Sequence, residues 1–394
     1  MKILKLEITG FRSFREATWT PNQLNIIIGP NGSGKSNLLK FFDLIRSSAT
    51  GDLEEYILRE GGFEKILWDG QGEAIEIKIH TTPLDDKRDS QKERLDYQLQ
   101  LKKVGRSGDY RIGYEILGNY RKNSDDPFKF LERTLTKAVI HDEDEKRFCP
   151  VFDDIEPNET LLSQTGTPFA KNWIITKFKR ELASWGIYQL IDTSPESDIR
   201  KPRVTRRENI LKGDGSNLIS VLHTLYTTDR EFEQSINNAM TAAFGEDYEK
   251  LVFPPAADNQ VQLRIRWKTL RLEQSASEIS DGTLRYLYLL TILANPDPGA
   301  LIAIDEPETG LHPSMMRIVA EYAEQASNKS QIIITTHSPE LLTAFSDYIP
   351  STSVIQWHNG ASTIQQISEE KLRFWLQDYS LGALFSTGEL EGMQ

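Results

Sequence analysis

The sequence predicts an α/β fold in which a mixed β-sheet surrounds a phosphate-loop helix and carries an inserted, mainly helical lobe. Three observations lead there. Leu24-Asn25-Ile26-Ile27-Ile28 is an apolar run that passes directly into Gly29-Pro30-Asn31-Gly32-Ser33-Gly34-Lys35-Ser36, after which apolar residues recur at helical spacing from Asn37 onward. Leu301-Ile302-Ala303-Ile304 is a second run, closed by Asp305 and Glu306. Gln331-Ile332-Ile333-Ile334-Thr335-Thr336 is a third, β-branched and followed by His337. Short continuous apolar runs of this kind suit strands buried on both faces of a parallel sheet.

The first loop has the G-x-x-x-x-G-K-S form in the strand–turn–helix context that the motif requires. Gly29, Gly32 and Gly34 let backbone N–H groups curl around phosphate oxygens without Cβ clashes. The helix N-terminus adds a partial positive charge. Lys35 can reach the β- and γ-phosphates, and the Ser36 hydroxyl is placed to ligate Mg²⁺. These residues in this context imply binding of a nucleoside triphosphate. At the second strand end, Asp305 suits the Mg²⁺ shell and Glu306 can orient or polarise the attacking water. His337, just past the third strand, can donate a hydrogen bond to a γ-phosphate. Ser280-Asp281-Gly282-Thr283-Leu284-Arg285 precedes a helical run starting at Tyr286. By itself that segment is a good turn and cap. Lying 25 residues before Asp305, it also suits a second phosphate-binding helix N-terminus.

Composition bounds the rest. A chain of 394 residues makes one large domain or two ordinary ones. With 38% hydrophobic and 26% charged residues it can build a core, which excludes wholesale disorder. A net charge of −12 argues against a surface coated for nucleic acid, though not against a local basic patch. Cys149 is the single cysteine, so neither an intrachain disulfide nor a Cys-rich zinc site is expected. No apolar stretch approaches the roughly 18 residues that span a bilayer. Met1-Lys2-Ile3-Leu4-Lys5 leads into a strand pattern instead of a signal-peptide core. A cytoplasmic protein without a membrane partner is expected.

The order of phosphate loop, Ser-Asp-Gly-Thr-Leu-Arg, Ile-Asp-Glu-Pro-Glu-Thr-Gly-Leu-His-Pro and Thr-Thr-His-Ser-Pro-Glu resembles the ABC-type ATPases of the SMC/RecF class. It is closer still to the compact, stand-alone bacterial ATPases described as AAA family. Those proteins also show the opening Ile-Thr-Gly-Phe-Arg-Ser-Phe, here Ile8 to Phe14, and a late segment similar to Trp375–Leu384. The resemblance covers residues 1–80 and 260–385 well and the middle poorly. It implies an ABC-type ATPase head using ATP and Mg²⁺. Gly32, Gly34, Lys35 and Ser36 match the phosphate loop, with Asn31, Ser33, Asn37 and Arg12 near the nucleotide. Asp305 and Glu306 match the metal-holding and water-activating acids. His337 matches the switch histidine, and Thr309-Gly310-Leu311-His312 the dimer-facing loop. Ser280 and Gly282 match the signature motif, which in these ATPases completes the site of the opposite subunit and so implies an ATP-dependent homodimer. Asp281 stands where transporter subunits usually carry Gly, which favours the SMC/RecF-like branch. Gln164 resembles the glutamine that joins Mg²⁺ to a moving lobe, and fits an ordinary exposed glutamine equally well.

Three segments are therefore expected: an N-terminal part of the head over 1–94, an inserted mainly helical lobe over 95–255, and a C-terminal part over 256–394. Asp85–Arg94 is a charged stretch suited to a hairpin tip, and Trp173–Leu182 and Leu218–Leu225 have amphipathic helical patterns. No heptad run persists and no Cys-x-x-Cys hook occurs, so the long coiled-coil arms of SMC proteins are not expected. The stretch after His337 is too short for the nuclease domain that OLD-family proteins append. Any nuclease or toxin would then be a separate chain.

The motifs describe a motor and leave its load open. Arg200-Lys201-Pro202-Arg203-Val204-Thr205-Arg206-Arg207 suits either a DNA-phosphate contact or a solvated linker, since no aromatic residue interleaves with its cations. Lys102, Lys103 and Arg106 are a weaker candidate patch. One function is a DNA-associated ATPase of repair, recombination or genome maintenance. The alternative is an ATP-gated scaffold or sensor for a separate effector protein, for example in defence against phage.

Overall fold

Alternating and continuous apolar patterns each produce their own sheet in the computed structural model. It describes residues 1–70, 72–84, 94–105, 108–119, 127–151, 155–165, 172–189, 191–345 and 348–392. The expected hairpin tip at 85–93 and Arg106 lie outside the described residues. The chain divides into two compact units. One comprises residues 1–22, 29–185 and 353–366, and the other residues 23–28, 186–352 and 367–394.

The chain begins with β1 (Ile3–Phe11), β2 (Phe14–Trp19) and β3 (Leu24–Ile28), then passes through the glycine-rich loop into α1 (Lys35–Thr50). There follow β4 (Ala74–Thr81), β5 (Leu95–Val104), β6 (Asp109–Asn119), β7 (Phe128–Arg133), β8 (Ala138–Asp142) and β9 (Arg147–Pro150). In the first unit, eight of these form an antiparallel sheet in the order β2-β1-β4-β5-β6-β7-β8-β9. Side chains alternate across a strand, so Ile75, Ile77 and Ile79 of β4 and Tyr97, Leu99 and Leu101 of β5 share one fully buried face. The register sets Ile77 opposite both Ile8 and Leu99. α1 packs its apolar stripe against the helix Trp173–Ala183, with Phe42 edge-on to Trp185 at 5.8 Å.

The inserted lobe differs from expectation. Residues 95–150 carry five strands, β5 to β9, which extend the antiparallel sheet. Among the described residues of 95–255, helices begin only at Leu161. The period-two pattern Leu95, Tyr97, Leu99, Leu101 explains why: it gives one buried face only to an extended strand.

The second unit holds parallel strands in the order β10 (Gly186–Tyr188), Leu301–Asp305, Gln331–Thr335 and β3. Every residue of β3 and of Gln331–Thr335 is buried, as a sheet covered on both faces requires. The helix Pro313–Ser327 lies against these strands and against Asp281–Leu293. The Tyr286 hydroxyl ties Asp281–Leu293 to Arg230–Phe244 by donating to the Ala239 carbonyl at 2.9 Å. Because the strands are parallel, their C-terminal ends face one edge, where sheets of this kind place their chemistry. No helix among the described residues is long and apolar enough to cross a membrane.

Candidate functional site

In the first unit the glycine-rich loop is shaped by its glycines and pinned by serines. Gly29, Gly32 and Gly34 have φ of 147°, 78° and 113°. A Cβ on Gly34 would fall 2.4 Å from the Ser362 hydroxyl and 2.7 Å from that of Ser13, so the loop can lie against both only as glycine. Ser362 Oγ donates to the Ser33 carbonyl at 2.5 Å, and Asn37 Nδ2 donates to Ser13 Oγ at 2.9 Å. Lys35 is buried at the start of α1, its ammonium donating to the carbonyls of Gly29 at 2.7 Å and Pro30 at 3.2 Å. Ser36 is exposed one residue later. An open cleft of about 560 Å³ lies over Pro30, Asn31, Gly32 and Ser33, with Gln356 and Trp357 as its other wall. Arg12, in the left-handed region at φ 48°, pairs with Glu60, which Lys40 also meets at 2.8 Å. The Arg12 Nε and the Ser33 hydroxyl are buried without a hydrogen-bond partner among the described residues. A cradle that a Cβ would fill, a lysine at its base and two orphaned polar groups fit a bound phosphate chain.

In the second unit the acids sit where the strands end. Asp305 closes its strand and accepts a hydrogen bond from the Thr335 hydroxyl. Glu306 follows in the left-handed region at φ 44°, its N–H donating to the Thr335 carbonyl at 3.0 Å. Such a backbone costs energy for a residue other than glycine and is kept where neighbours over-determine it. The exposed His337 Nδ1 lies 3.0 Å from Glu306 Oε1. Glu308 is buried behind them, accepting from the Thr336 hydroxyl at 2.6 Å and the His337 N–H at 3.1 Å. Burial holds its carboxyl above the ordinary range, against the lowering effect of those two bonds.

Ser280 caps the helix Asp281–Leu293, accepting from the Thr283 N–H at 3.2 Å. Gly282 is required because a Cβ there would meet the Gly310 carbonyl at 2.7 Å. Arg285 reaches the same loop, donating to the Thr309 carbonyl at 3.3 Å. The signature-like turn and the Thr309–His312 loop are thus in direct contact within this unit.

Two expectations are corrected. Gln164 is not placed to ligate a metal beside Ser36. Its helix, Leu161–Gln164, is fastened to the carboxyl end of α1 through the Thr160 hydroxyl on the Ser48 carbonyl. Ser48 lies roughly 18 Å along the helix from Ser36 at 1.5 Å per residue. The Gln164 amide is engaged locally, accepting from Glu156 N–H at 3.1 Å and donating to the Glu159 and Thr160 carbonyls, both at 3.2 Å. The basic run 200–207 is also less available than its sequence suggested. Arg200 is buried in a polar network, Arg203 and Lys201 pair with Asp198, and Arg206 and Arg207 are exposed. Sequence inspection missed Glu308, Ser13 and Ser362. Glu308 sits inside the quoted Pro-Glu-Thr-Gly motif and Ser13 inside the quoted Ile8–Phe14 opening, whereas nothing local marks Ser362, which meets the loop from a distant part of the chain.

Residues 24–343 match the protein family described as "AAA domain, putative AbiEii toxin, Type IV TA system". No curated protein matches the sequence. Among solved structures, an Smc head bound to the C-terminal winged-helix domain of ScpA is 13% identical, with TM-score 0.58 over 95% of this chain and 100% of that one. An Smc head with an extended coiled coil from Pyrococcus furiosus, bound to the C-terminal domain of ScpA, is 13% identical, with TM-score 0.57 over 95% and 98%. The Smc head with coiled coil and joint from Pyrococcus yayanosii gives TM-score 0.55 at 10% identity over 95% and 99%. These likenesses identify the fold as that of an ABC-type ATPase head.

Proposed function

The chain belongs to the AAA-domain family described as a putative AbiEii toxin of type IV systems, and from that premise we propose that it binds and hydrolyses ATP as a head-to-head homodimer. The observation that carries hydrolysis is the Glu306–His337 pair at 3.0 Å, set just past two adjacent strand ends. Glu306 would hold and deprotonate the attacking water, and His337 would hold Glu306 in place and face the γ-phosphate. Lys35 and the backbone N–H groups of Gly32–Ser36 would bind the phosphates, with Asn31, Asn37 and Arg12 beside them. Ser36 and Asp305 are the proposed ligands of Mg²⁺, which when bound neutralises charge on the phosphates. Ser280 and Gly282 would complete the site of a second copy, so ATP would add contacts that exist only in the dimer.

Charge bears on the load of this ATPase. A DNA-associated clamp would use Arg206 and Arg207. A scaffold for a separate effector protein is favoured by one specific observation: Arg200 and Arg203 are spent on ion pairs inside a chain of net charge −12. The Smc heads seen bound to ScpA domains offer a precedent for a head that holds another chain.

Glu306→Gln is the decisive variant. It should bind ATP, sediment as a trapped dimer with Mg-ATP, and hydrolyse about a hundredfold more slowly or worse. Duplex DNA titrated into that dimer separates the two loads. Normal hydrolysis by the variant would remove Glu306 from its assigned role.

A further inference from the structure

Arg200 ends the short helix Asp198–Arg200, and its side chain is only 7% exposed. Its guanidinium spreads over one target. Nη1 donates to the carbonyls of Ala276 and Ile279, both at 2.7 Å, and more weakly to Ser277 at 3.4 Å. Nη2 meets the Asp281 carboxylate, and Nε donates to the Thr193 carbonyl at 2.9 Å. Four of these five partners lie in residues 276–281, on both sides of Ser280.

Other bonds fasten the start of this turn, among them Gln274 Nε2 to the Glu278 carbonyl at 2.9 Å and Ala276 N–H to the Leu263 carbonyl at 3.0 Å. The turn's own bonds, Glu278 N–H and Ile279 N–H to the Ser275 carbonyl, use donors and leave the later carbonyls turned toward Arg200. A planar guanidinium with donors in a fixed fork can bridge several carbonyls at set angles, which a lysine ammonium cannot. Asp281 is 63% exposed, so the ion pair by itself is a weak reason to bury a cation. The carbonyl contacts give the reason: they set the path of the chain into the helix that Ser280 caps.

We infer that Arg200 is a positioning residue for the Ser280–Gly282 turn, and that its effect is exerted on the nucleotide of a second copy of this chain. This rests on the proposed function, in which that turn completes the partner's site. Arg200 itself touches no substrate. Misplacing a donor by about 1 Å can cost about a hundredfold in rate, so a fixed turn matters for hydrolysis even when the fold survives.

The test uses Arg200→Ala, Arg200→Lys and Lys35→Ala in the full chain. Arg200→Ala should keep monomer ATP affinity within about twofold of wild type, yet lose ATP-linked dimerisation and at least about tenfold in kcat. Arg200→Lys preserves a charge opposite Asp281. It should fold, with a melting temperature closer to wild type than that of the alanine variant, and still lose most of kcat, which keeps the inference testable if the alanine variant is unstable. Mixing supplies the sharpest outcome. Arg200→Ala and Lys35→Ala, each impaired alone, should together exceed the sum of their separate activities, because the mixed dimer holds one site with an intact lysine from one copy and an intact turn from the other. A mixture no more active than that sum, while wild type mixed with Lys35→Ala stays active, would overturn the action in trans. Wild-type kcat in Arg200→Ala or Arg200→Lys would overturn the positioning role. A wild-type protein that neither binds ATP nor dimerises with it would instead overturn the proposed function itself, and this inference with it.

Discussion

Gly34 shows most directly how one residue shapes the loop proposed to cradle phosphate. At φ 113°, a side chain costs about 1–2 kcal/mol for the backbone alone. Its Cβ would also displace the hydroxyls of Ser362 and Ser13, 2.4 and 2.7 Å away. Gly32 shares a positive φ of 78° but would place a Cβ in open space. Gly34→Ala should therefore weaken ATP binding by at least about tenfold and lower the melting temperature, whereas Gly32→Ala should lower stability by only the backbone cost. Equal losses of stability would mean that the serine contacts carry nothing. The glycines themselves were legible in the sequence, because the motif demands them. The serine contacts were not: Ser13 lies in the Ile8–Phe14 opening with nothing to show that it meets the loop, and Ser362 reaches Ser33 from 329 positions away.

At the scale of elements, Glu115 joins a strand to the helix Leu161–Gln164. It is buried in β6 and accepts hydrogen bonds from the N–H of Leu161, the N–H of Leu162 at 3.0 Å and the Tyr97 hydroxyl at 3.0 Å. Burial pushes its pKa from 4.5 up to about 6, against the lowering by those bonds and by Arg133. Between these two values the folded chain keeps a proton that the unfolded chain has released. Stability from this group must then fall as pH rises through that window, by about 2 kcal/mol in all. Thermal melts from pH 4 to 7 should show this decline, and Glu115→Gln should flatten it. Glu115→Ala should cost about 3 kcal/mol or more at any pH, because two buried N–H groups lose their acceptor. A pH profile unchanged in Glu115→Gln would refute the assignment. Strands β5 and β6 were readable from their own alternation, Leu95, Tyr97, Leu99 and Leu101 being the plainest case. The general expectation of a helical insertion concealed that pattern. What no local pattern could have shown is that a strand carboxylate caps a helix some 46 residues later.

Across the whole molecule, the motifs of the proposed nucleotide site stood out in the sequence because strand ends and glycine turns write chemistry into short segments. The load was not legible, because charge in a sequence does not reveal which cations are already paired. Arg200 and Arg203 looked like free cations in a run of eight residues and are held by Asp281 and Asp198. That leaves Arg206 and Arg207 exposed in the segment, two per copy and four in a dimer. Each DNA phosphate neutralised contributes about −0.9 to the slope of log affinity against log salt. If the dimer clamps DNA through this segment, reversing Arg206 and Arg207 to glutamate should flatten that slope by about 4 and leave ATP-linked dimerisation unchanged. DNA binding that survives the reversal with the same slope would place the contact elsewhere on the protein. If the ATP-bound Glu306→Gln dimer shows no salt-sensitive DNA binding at all, the two arginines serve no nucleic-acid role. A net charge of −12 then becomes the expected property of a head whose load is another protein.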